Sequence, residues 1–160
     1  MNIKGLILFI LLLSTKPSES VIYISQINFS DFYRAFASSD LKLVDNQLNS
    51  LSKLDNTSAY FGALLMKKSA LVTPKDKLAM FAKGKKILEE SIKKSPENAE
   101  YRFLRLVVQE NCPPILDYKK NIKTDAAKIR ENFKQFSPEL KSAVVDYSKI
   151  SKALNIKDLI

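Results

Sequence analysis

Apolar residues recur at spacings of three and four through most of the chain, which is the pattern of amphipathic α-helices. A short apolar and β-branched stretch, residues 21–27, precedes this pattern. Residues suited to capping a helix N-terminus, where a side-chain oxygen accepts a hydrogen bond from an exposed amide, stand in front of the apolar stripes. The predicted starts are Ser30, Ser39, Thr57, Thr73 with Pro74, Asn98 and Ser137 with Pro138, and a further helix lies in the stripe from Ile115 to Phe136. The pattern therefore predicts an all-α fold of about seven helices.

The arrangement of these helices follows from their faces and their connections. Residues 59–66 are apolar on nearly every side, and a helix of that kind must lie at the centre of its domain. The connections between predicted helices are only about two to six residues long, so neighbouring helices are expected to form antiparallel hairpins. Residues 21–160 are therefore predicted to form a single helical domain.

A weak internal repeat supports stacked hairpins. The tripeptide at residues 95–97, Ser-Pro-Glu, recurs at residues 137–139, 42 residues later. The helix pairs that begin near Thr57 and Asn98 are about 41 residues apart. Helix pairs that repeat at this period are typical of solenoids. The sequence thus predicts antiparallel hairpins stacked as a short solenoid or bundle.

Residues 57–98 resemble a tetratricopeptide repeat. Gly84, Leu88, Ser91 and Pro96 follow the small, large, small and proline order of that repeat's second helix, and Gly62 with the preceding phenylalanine resembles the pair in its first helix. Residues 99–140 share only the period, and the segment between Gly62 and Gly84 is longer than the usual repeat allows. The resemblance implies a scaffold that binds an extended peptide or a partner helix in a groove, and it does not imply an enzyme.

The first twenty residues have the three parts of a secretory signal peptide. Residues 1–4 form a short basic start that carries Lys4, residues 5–13 are apolar, and a polar stretch follows. The apolar part is well short of the roughly 20 residues that span a bilayer. Ser18 and Ser20 occupy positions −3 and −1 relative to a cut before Val21, where small residues are required. We therefore expect residues 1–20 to be removed and the protein to be secreted or periplasmic, with an uncleaved anchor as the alternative.

The scarce residue types limit the possible chemistry. The chain has no His, one Cys and three isolated Gly, so Ser-His and Cys-His catalysis, the usual zinc sites and glycine-rich phosphate loops are excluded within one chain. Cys112 is expected to be a buried thiol beside the rigid corner of Pro113 and Pro114, with an intermolecular link as the alternative. No spacing singles out a carboxylate pair or a Ser-Lys pair. We therefore predict neither catalysis nor a cofactor.

The charge of the chain is strongly positive but consists mainly of lysine. The net charge is +9, and 22 of the 26 basic residues are Lys. Bidentate recognition of phosphates and bases favours Arg, so no nucleic-acid partner is expected. The densest cluster, residues 85–94, alternates in sign at i to i+4 spacing and is typical of a solvated helix face. An alternative function remains open, in which the cationic exterior binds anionic lipid or polysaccharide of the cell envelope.

Two of the four arginines fall on one narrow arc of the fifth helix, at about 100° per residue. The polar residues of this arc are Asn98, Arg102, Arg105 and Gln109. An inner helix with such an arc is predicted to line a groove with the third helix and to clamp a carboxylate of a bound peptide or protein. In the alternative, the arginines pair with internal acids such as Asp117 or Glu131. The sequence thus predicts an exported, non-catalytic scaffold for a protein or peptide partner.

Overall fold

The structure is a computed structural model, and it describes residues 26–55 and 58–159. Within these ranges the protein has seven α-helices and no strand, which confirms the all-α prediction. The helices are α1 (Phe29–Ala37), α2 (Leu41–Leu54), α3 (Ala59–Ser69), α4 (Pro74–Lys94), α5 (Ala99–Asn111), α6 (Ile122–Asn132) and α7 (Pro138–Ser148). Short 3-10 turns occupy Pro114–Leu116, Phe133–Gln135 and Ile156–Asp158. The predicted signal peptide and Thr57 lie outside the described residues.

Three helices begin where the sequence predicts. The Asn98 side chain accepts a hydrogen bond from the Tyr101 amide at 3.0 Å at the start of α5. The Ser137 hydroxyl caps α7 in the same way, 3.2 Å from an amide of the first turn. Thr73 precedes α4, but its hydroxyl makes no capping hydrogen bond, and Pro74 alone marks the start. A proline in the first turn is sufficient because its missing N–H has no partner within the helix there.

The caps of α1 and α2 differ from the predicted residues by one or two positions. Asn28, rather than Ser30, caps α1, and Asp40, rather than Ser39, caps α2. Ser58 caps α3 directly after the predicted Thr57. Neighbouring polar residues have similar capping ability, so their order alone does not decide which of them adopts the extended backbone of a cap.

The hairpin of α3 and α4 is the most closely packed part of the molecule. A Cβ added to Gly62 would lie 2.8 Å from the Gly84 carbonyl oxygen, and one added to Gly84 would lie 2.6 Å from the Gly62 carbonyl oxygen. Only glycine permits this approach of two helix backbones. Because α3 is buried along nearly its whole length, from Ala59 to Met66, the prediction that it lies centrally is confirmed.

The sixth predicted helix is shorter than the apolar stripe suggested. The residues after Pro113 form a 3-10 turn that ends at Asp117, whose φ of 41° is left-handed. This conformation interrupts the stripe, and α6 begins only at Ile122. Cys112 lies at this corner, 6% exposed, and its thiol donates to the Tyr118 carbonyl oxygen at 3.4 Å. The prediction of a buried thiol is confirmed.

The first helix packs against α5 and α7 and closes the bundle. The ring of Tyr33 on α1 lies 6.3 Å from Phe103 on α5, which lies 5.9 Å from Tyr147 on α7. Glu110 accepts hydrogen bonds from Ser151 and from the amides that follow it, and so fixes the chain after α7. In an open solenoid each repeat contacts only its neighbours. The described helices instead form a closed bundle, with a cleft between α1 and α7.

No helix in the described ranges is both long enough and apolar enough to cross a bilayer.

Candidate functional site

The polar arc predicted as a binding surface faces α6 and α4 in the structure. Arg105 meets Asp125 on α6, and Gln109 meets Asn121, which directly precedes α6. The contact positions rise along α5 as they fall toward the start of α6, so the two helices are antiparallel, although the segment that connects them, residues 112–121, is longer than the predicted two to six residues. All four predicted residues lie on or directly before α5, and each has a hydrogen-bond partner within the chain.

Arg105 is the centre of a buried ion-pair network. Its Nε and Nη2 donate to the two carboxylate oxygens of Asp125 at 2.7 and 2.8 Å, and its Nη1 donates to Glu89 at 2.8 Å. Arg105 and Asp125 are 3% and 1% exposed. Burial alone would lower the pKa of Arg105, but the hydrogen bonds and charges of Asp125 and Glu89 outweigh it and raise the pKa. The guanidinium therefore stays charged and fully engaged.

The other arc residues have structural partners as well. Gln109 is fully buried and exchanges hydrogen bonds with Asn121 through both its amide nitrogen and its carbonyl oxygen. Arg102 donates mainly to the Pro96 carbonyl oxygen, at 2.8 Å, and reaches Asp125 at 3.5 Å. Asn98 is the cap of α5. These contacts hold α5 to its neighbours.

The acids that engage the arginines are Asp125 and Glu89, whereas the sequence suggested Asp117 or Glu131. Asp117 instead pairs at the surface with Lys120, at 3.1 Å. Glu89 also accepts a hydrogen bond from the Tyr118 hydroxyl, so the network joins α4, α5 and the corner before α6. A buried, saturated network of this kind leaves Arg105 and Gln109 no open polar face for a partner.

An open cleft lies on the other side of α5. Phe103, Val107 and Asn111 line it, and at about 100° per residue they lie on the side of the helix opposite to the arginine arc. The cleft has a volume of about 440 Å³, within the range of about 300–1,000 Å³ that is usual for binding pockets. The remaining lining residues come from α1, α3 and α7 and the turn after α7: Ser30, Tyr33, Arg34, Phe36, Ala37, Lys67, Glu139, Ser142, Ala143, Asp146, Tyr147 and Ile150.

Two tyrosines fix the walls of the cleft. The Tyr33 hydroxyl donates a short hydrogen bond to Glu100, and Asn111 donates to the Tyr147 hydroxyl at 3.0 Å. Burial, strengthened by the Glu100 charge, raises the pKa of Tyr33, and burial also raises the pKa of the Glu100 carboxyl. Burial and a hydrogen bond to Glu110 raise the pKa of Tyr147 too. Both tyrosines therefore remain neutral and contribute mainly their apolar rings to the walls of the cleft.

Lys67 is the unusual charge in this cleft. It lies in the last turn of α3 beside Lys68, whose ammonium pairs with Asp45 at 2.6 Å. Within the described part of the chain Lys67 has no acidic partner, although its side chain is half-buried. Burial lowers the pKa of Lys67 because it removes water from the ammonium group. An anion placed in the cleft would therefore find an unpaired, partly desolvated cation.

The other charges of the cleft lie nearer to solvent. Arg34 pairs with Asp31 at 2.6 Å, and Asp146 pairs with Lys149 at 2.7 Å. Glu139 is exposed in the first turn of α7. The cleft thus combines apolar walls, a half-buried lysine on the α3 side that pairs with no acid of the described residues, and exposed carboxylates.

The open cleft adjoins α3 and α5, the two helices predicted to line a groove, but it lies on the side of α5 opposite to the predicted arc. The lining residues Lys67, Phe103 and Val107 were missed. A lysine directly after a stretch that is apolar on nearly every side was the available signal, since such a residue must either reach the surface or line an opening. Phe103 and Val107 carried no signal because apolar residues on α5 are equally expected in the core.

The described residues bring together no group of three or more side chains suited to hold a metal ion. The arrangement in the cleft offers binding chemistry, namely apolar contact, hydrogen bonding and one charge. Comparison of the chain with known protein families, with curated proteins and with solved structures finds no match.

Proposed function

We propose that this chain is an exported, non-catalytic helical scaffold that binds a segment of a protein or peptide partner in the cleft between α1, α5 and α7. The observation that carries the proposal is the unpaired Lys67 ammonium among apolar walls. An unpaired charge that is half-buried costs free energy in the free protein, and a ligand carboxylate offsets that cost.

The walls favour a ligand with apolar side chains and a polar backbone. Phe36, Phe103 and Val107 supply apolar area, while the hydroxyls of Ser30 and Ser142 can bond to peptide groups along the edge. A bound segment would therefore place apolar side chains on the cleft floor and an acidic group against Lys67. The resemblance of residues 57–98 to a tetratricopeptide repeat points to the same class of function, although the cleft proposed here involves α1 and α7.

The proposal moves the binding site away from the predicted arc of Asn98, Arg102, Arg105 and Gln109. Arg105 and Gln109 are 3% and 0% exposed and are engaged by side chains of this chain. A partner could reach them only by breaking the network, at a cost of several kcal/mol, typically about 3–5 for a buried pair that loses one member.

A peptide-display selection on the full chain tests the proposal. Selected peptides are expected to contain apolar and acidic residues and to lose about tenfold or more in affinity for Ala143→Trp, which fills the cleft. Ala82→Trp, on the exposed side of α4, is the matched control and should bind as the wild type does. Equal binding to wild type and Ala143→Trp would place the site elsewhere.

The role of Lys67 is tested by a pair of neighbouring variants. Lys67→Met keeps the apolar stem and removes the charge, so peptides with an acidic group should bind it more weakly while their neutral analogues bind unchanged. Lys68→Met removes a lysine of the same turn that already pairs with Asp45 and should leave binding intact. Loss of binding in both variants would indicate general attraction by positive charge.

A further inference from the structure

A second surface of the molecule combines exposed apolar side chains with lysines. Ile115 is 90% exposed and Leu78 is 67% exposed, the first at the corner after α5 and the second near the start of α4. Exposed apolar residues of this size are ordinary when they stand alone. These two, however, belong to one region, as the contacts between the corner and α4 indicate.

The corner is attached to α4 by a ring contact. The Tyr118 ring packs edge-on against Phe81 at 5.8 Å, and the Lys85 ammonium lies 4.7 Å from the centre of the same ring. Leu78 is three residues before Phe81 and seven before Lys85, so the helical period places it on the face of α4 that meets the corner. Ile115 is three residues before Tyr118. The two exposed residues are therefore each three residues from a member of this ring contact and belong to one region of the surface.

The corner is held rigidly, so Ile115 is fixed in its exposed position. Pro113 and Pro114 restrict the backbone before it, and Asp117 adopts a left-handed conformation after it. The neighbouring Leu116 packs against the core. Of two adjacent apolar side chains at the corner, Leu116 thus points inward and Ile115 is exposed to solvent.

Positive charge surrounds these apolar tips. Lys75, Lys77 and Lys119 are exposed and pair with no acid of the described residues. Lys119 directly follows Tyr118 in the chain and therefore lies at the corner. Three acids belong to this region. Asp76 lies on α4, Asp117 is paired with Lys120, and Glu89 is engaged by Arg105 and by the Tyr118 hydroxyl. The surface is therefore apolar at its tips and cationic around them.

We propose that this surface, formed by Leu78, Ile115 and the surrounding lysines, docks the protein on an anionic lipid bilayer. Lysines near a membrane attract its negative headgroups, and apolar side chains gain free energy by entering the acyl boundary beneath them. A polysaccharide would satisfy the lysines but offers no hydrocarbon for Ile115 and Leu78. The exposed apolar side chains therefore favour anionic lipid over anionic polysaccharide as the partner.

Sedimentation of the full chain with vesicles tests this docking. Binding is expected to vesicles of phosphatidylglycerol with phosphatidylcholine, to be absent with phosphatidylcholine alone, and to weaken steeply as salt is raised. Ile115→Ser with Leu78→Ser should weaken binding about tenfold or more because both apolar tips are lost. Ile150→Ser is the matched control, since Ile150 is 75% exposed at the cleft, and it should bind as the wild type does.

Charge variants separate the docking surface from general attraction. Lys75→Glu with Lys119→Glu should weaken vesicle binding about tenfold or more, whereas Lys123→Glu with Lys157→Glu carries the same net charge on other exposed residues and should have a much smaller effect. Thermal melting followed by circular dichroism confirms that each variant is folded.

Three results would overturn the proposal. The first is the absence of binding to phosphatidylglycerol vesicles at low salt. The second is vesicle binding that the serine variants leave unchanged. The same holds if dextran sulfate, a polyanion without hydrocarbon, binds with the affinity of the vesicles and responds to every variant as they do. The third is an equal loss in the two pairs of charge variants, which would mean that net charge alone is responsible.

Discussion

The two sides of α5 differ in whether their charged side chains are paired within the chain. On one side Arg105 is surrounded by Asp125 and Glu89, and each residue of the arc has a hydrogen-bond partner within the chain. On the other side Lys67 lines the cleft and pairs with no acid of the described residues. Buried charges that are paired within the chain serve cohesion, because breaking them is costly. A cation left unpaired in an opening has no such role, and this difference led us to place the binding site on the cleft side.

The largest expected effect is on the closed side. Asp125→Ala should lower the free energy of unfolding by about 3–5 kcal/mol, because Arg105 remains buried with one of its two acids removed. Urea unfolding measures the loss. The double variant Arg105→Met with Asp125→Leu should be less destabilised than Asp125→Ala, since neither charge remains. A loss below about 1 kcal/mol for Asp125→Ala would show that the network does not hold α5 to α6, and the contrast between the two sides would disappear.

A smaller effect is expected at Asn98, which sequence analysis assigned to the binding arc and the structure uses as a cap. Asn98→Ala should lower the free energy of unfolding by about 1 kcal/mol, while Asn98→Asp, which retains a capping oxygen, should be nearly neutral. Binding of the peptides selected on the cleft should be the same for both variants. Unchanged stability together with weaker peptide binding would return Asn98 to the binding surface.

The smallest effect is expected on the open side. Lys67→Met should leave the free energy of unfolding unchanged or raise it by less than about 1 kcal/mol, because the half-buried ammonium is partly screened by water. Burial lowers the pKa of Lys67 in the folded protein. The charge therefore disfavours folding at every pH at which the lysine is protonated in both the folded and the unfolded protein. The gain in the free energy of unfolding from Lys67→Met should therefore be largest below the folded-state pKa of Lys67 and should decline as the pH rises through that pKa. Unfolding curves between pH 7 and 10 measure this trend, and a destabilised Lys67→Met would reveal a partner for the lysine within the chain.

The local part of the fold was predictable from the sequence, because it depends on neighbours in the chain. The apolar stripes gave the all-α class, and Pro74, Asn98 and Ser137 gave the starts of α4, α5 and α7. The repeated tripeptide was less informative. Ser137 caps a helix, whereas Ser95 ends one, so the two copies are not structurally equivalent.

The site was less predictable because it depends on contacts between distant segments. The hypothesis that Arg105 pairs with internal acids could be formed from the sequence, but the choice of Asp125 and Glu89 depends on how α4, α5 and α6 are packed. The cleft exists only because α1 returns to α5 and α7, as in the contact of Tyr33 with Phe103. No local pattern encodes that return.

Cys112 gives the protein a built-in reporter of local opening. Its thiol is the single one in the chain, and burial raises its pKa, so a thiol reagent can react only after the corner between α5 and α6 separates from the core. The labelling rate under native conditions therefore follows the opening equilibrium of the segment that joins the ion-pair network to the exposed Ile115. Vesicles or bound peptides that slow the labelling would reveal, without any mutation, which ligand stabilises this corner.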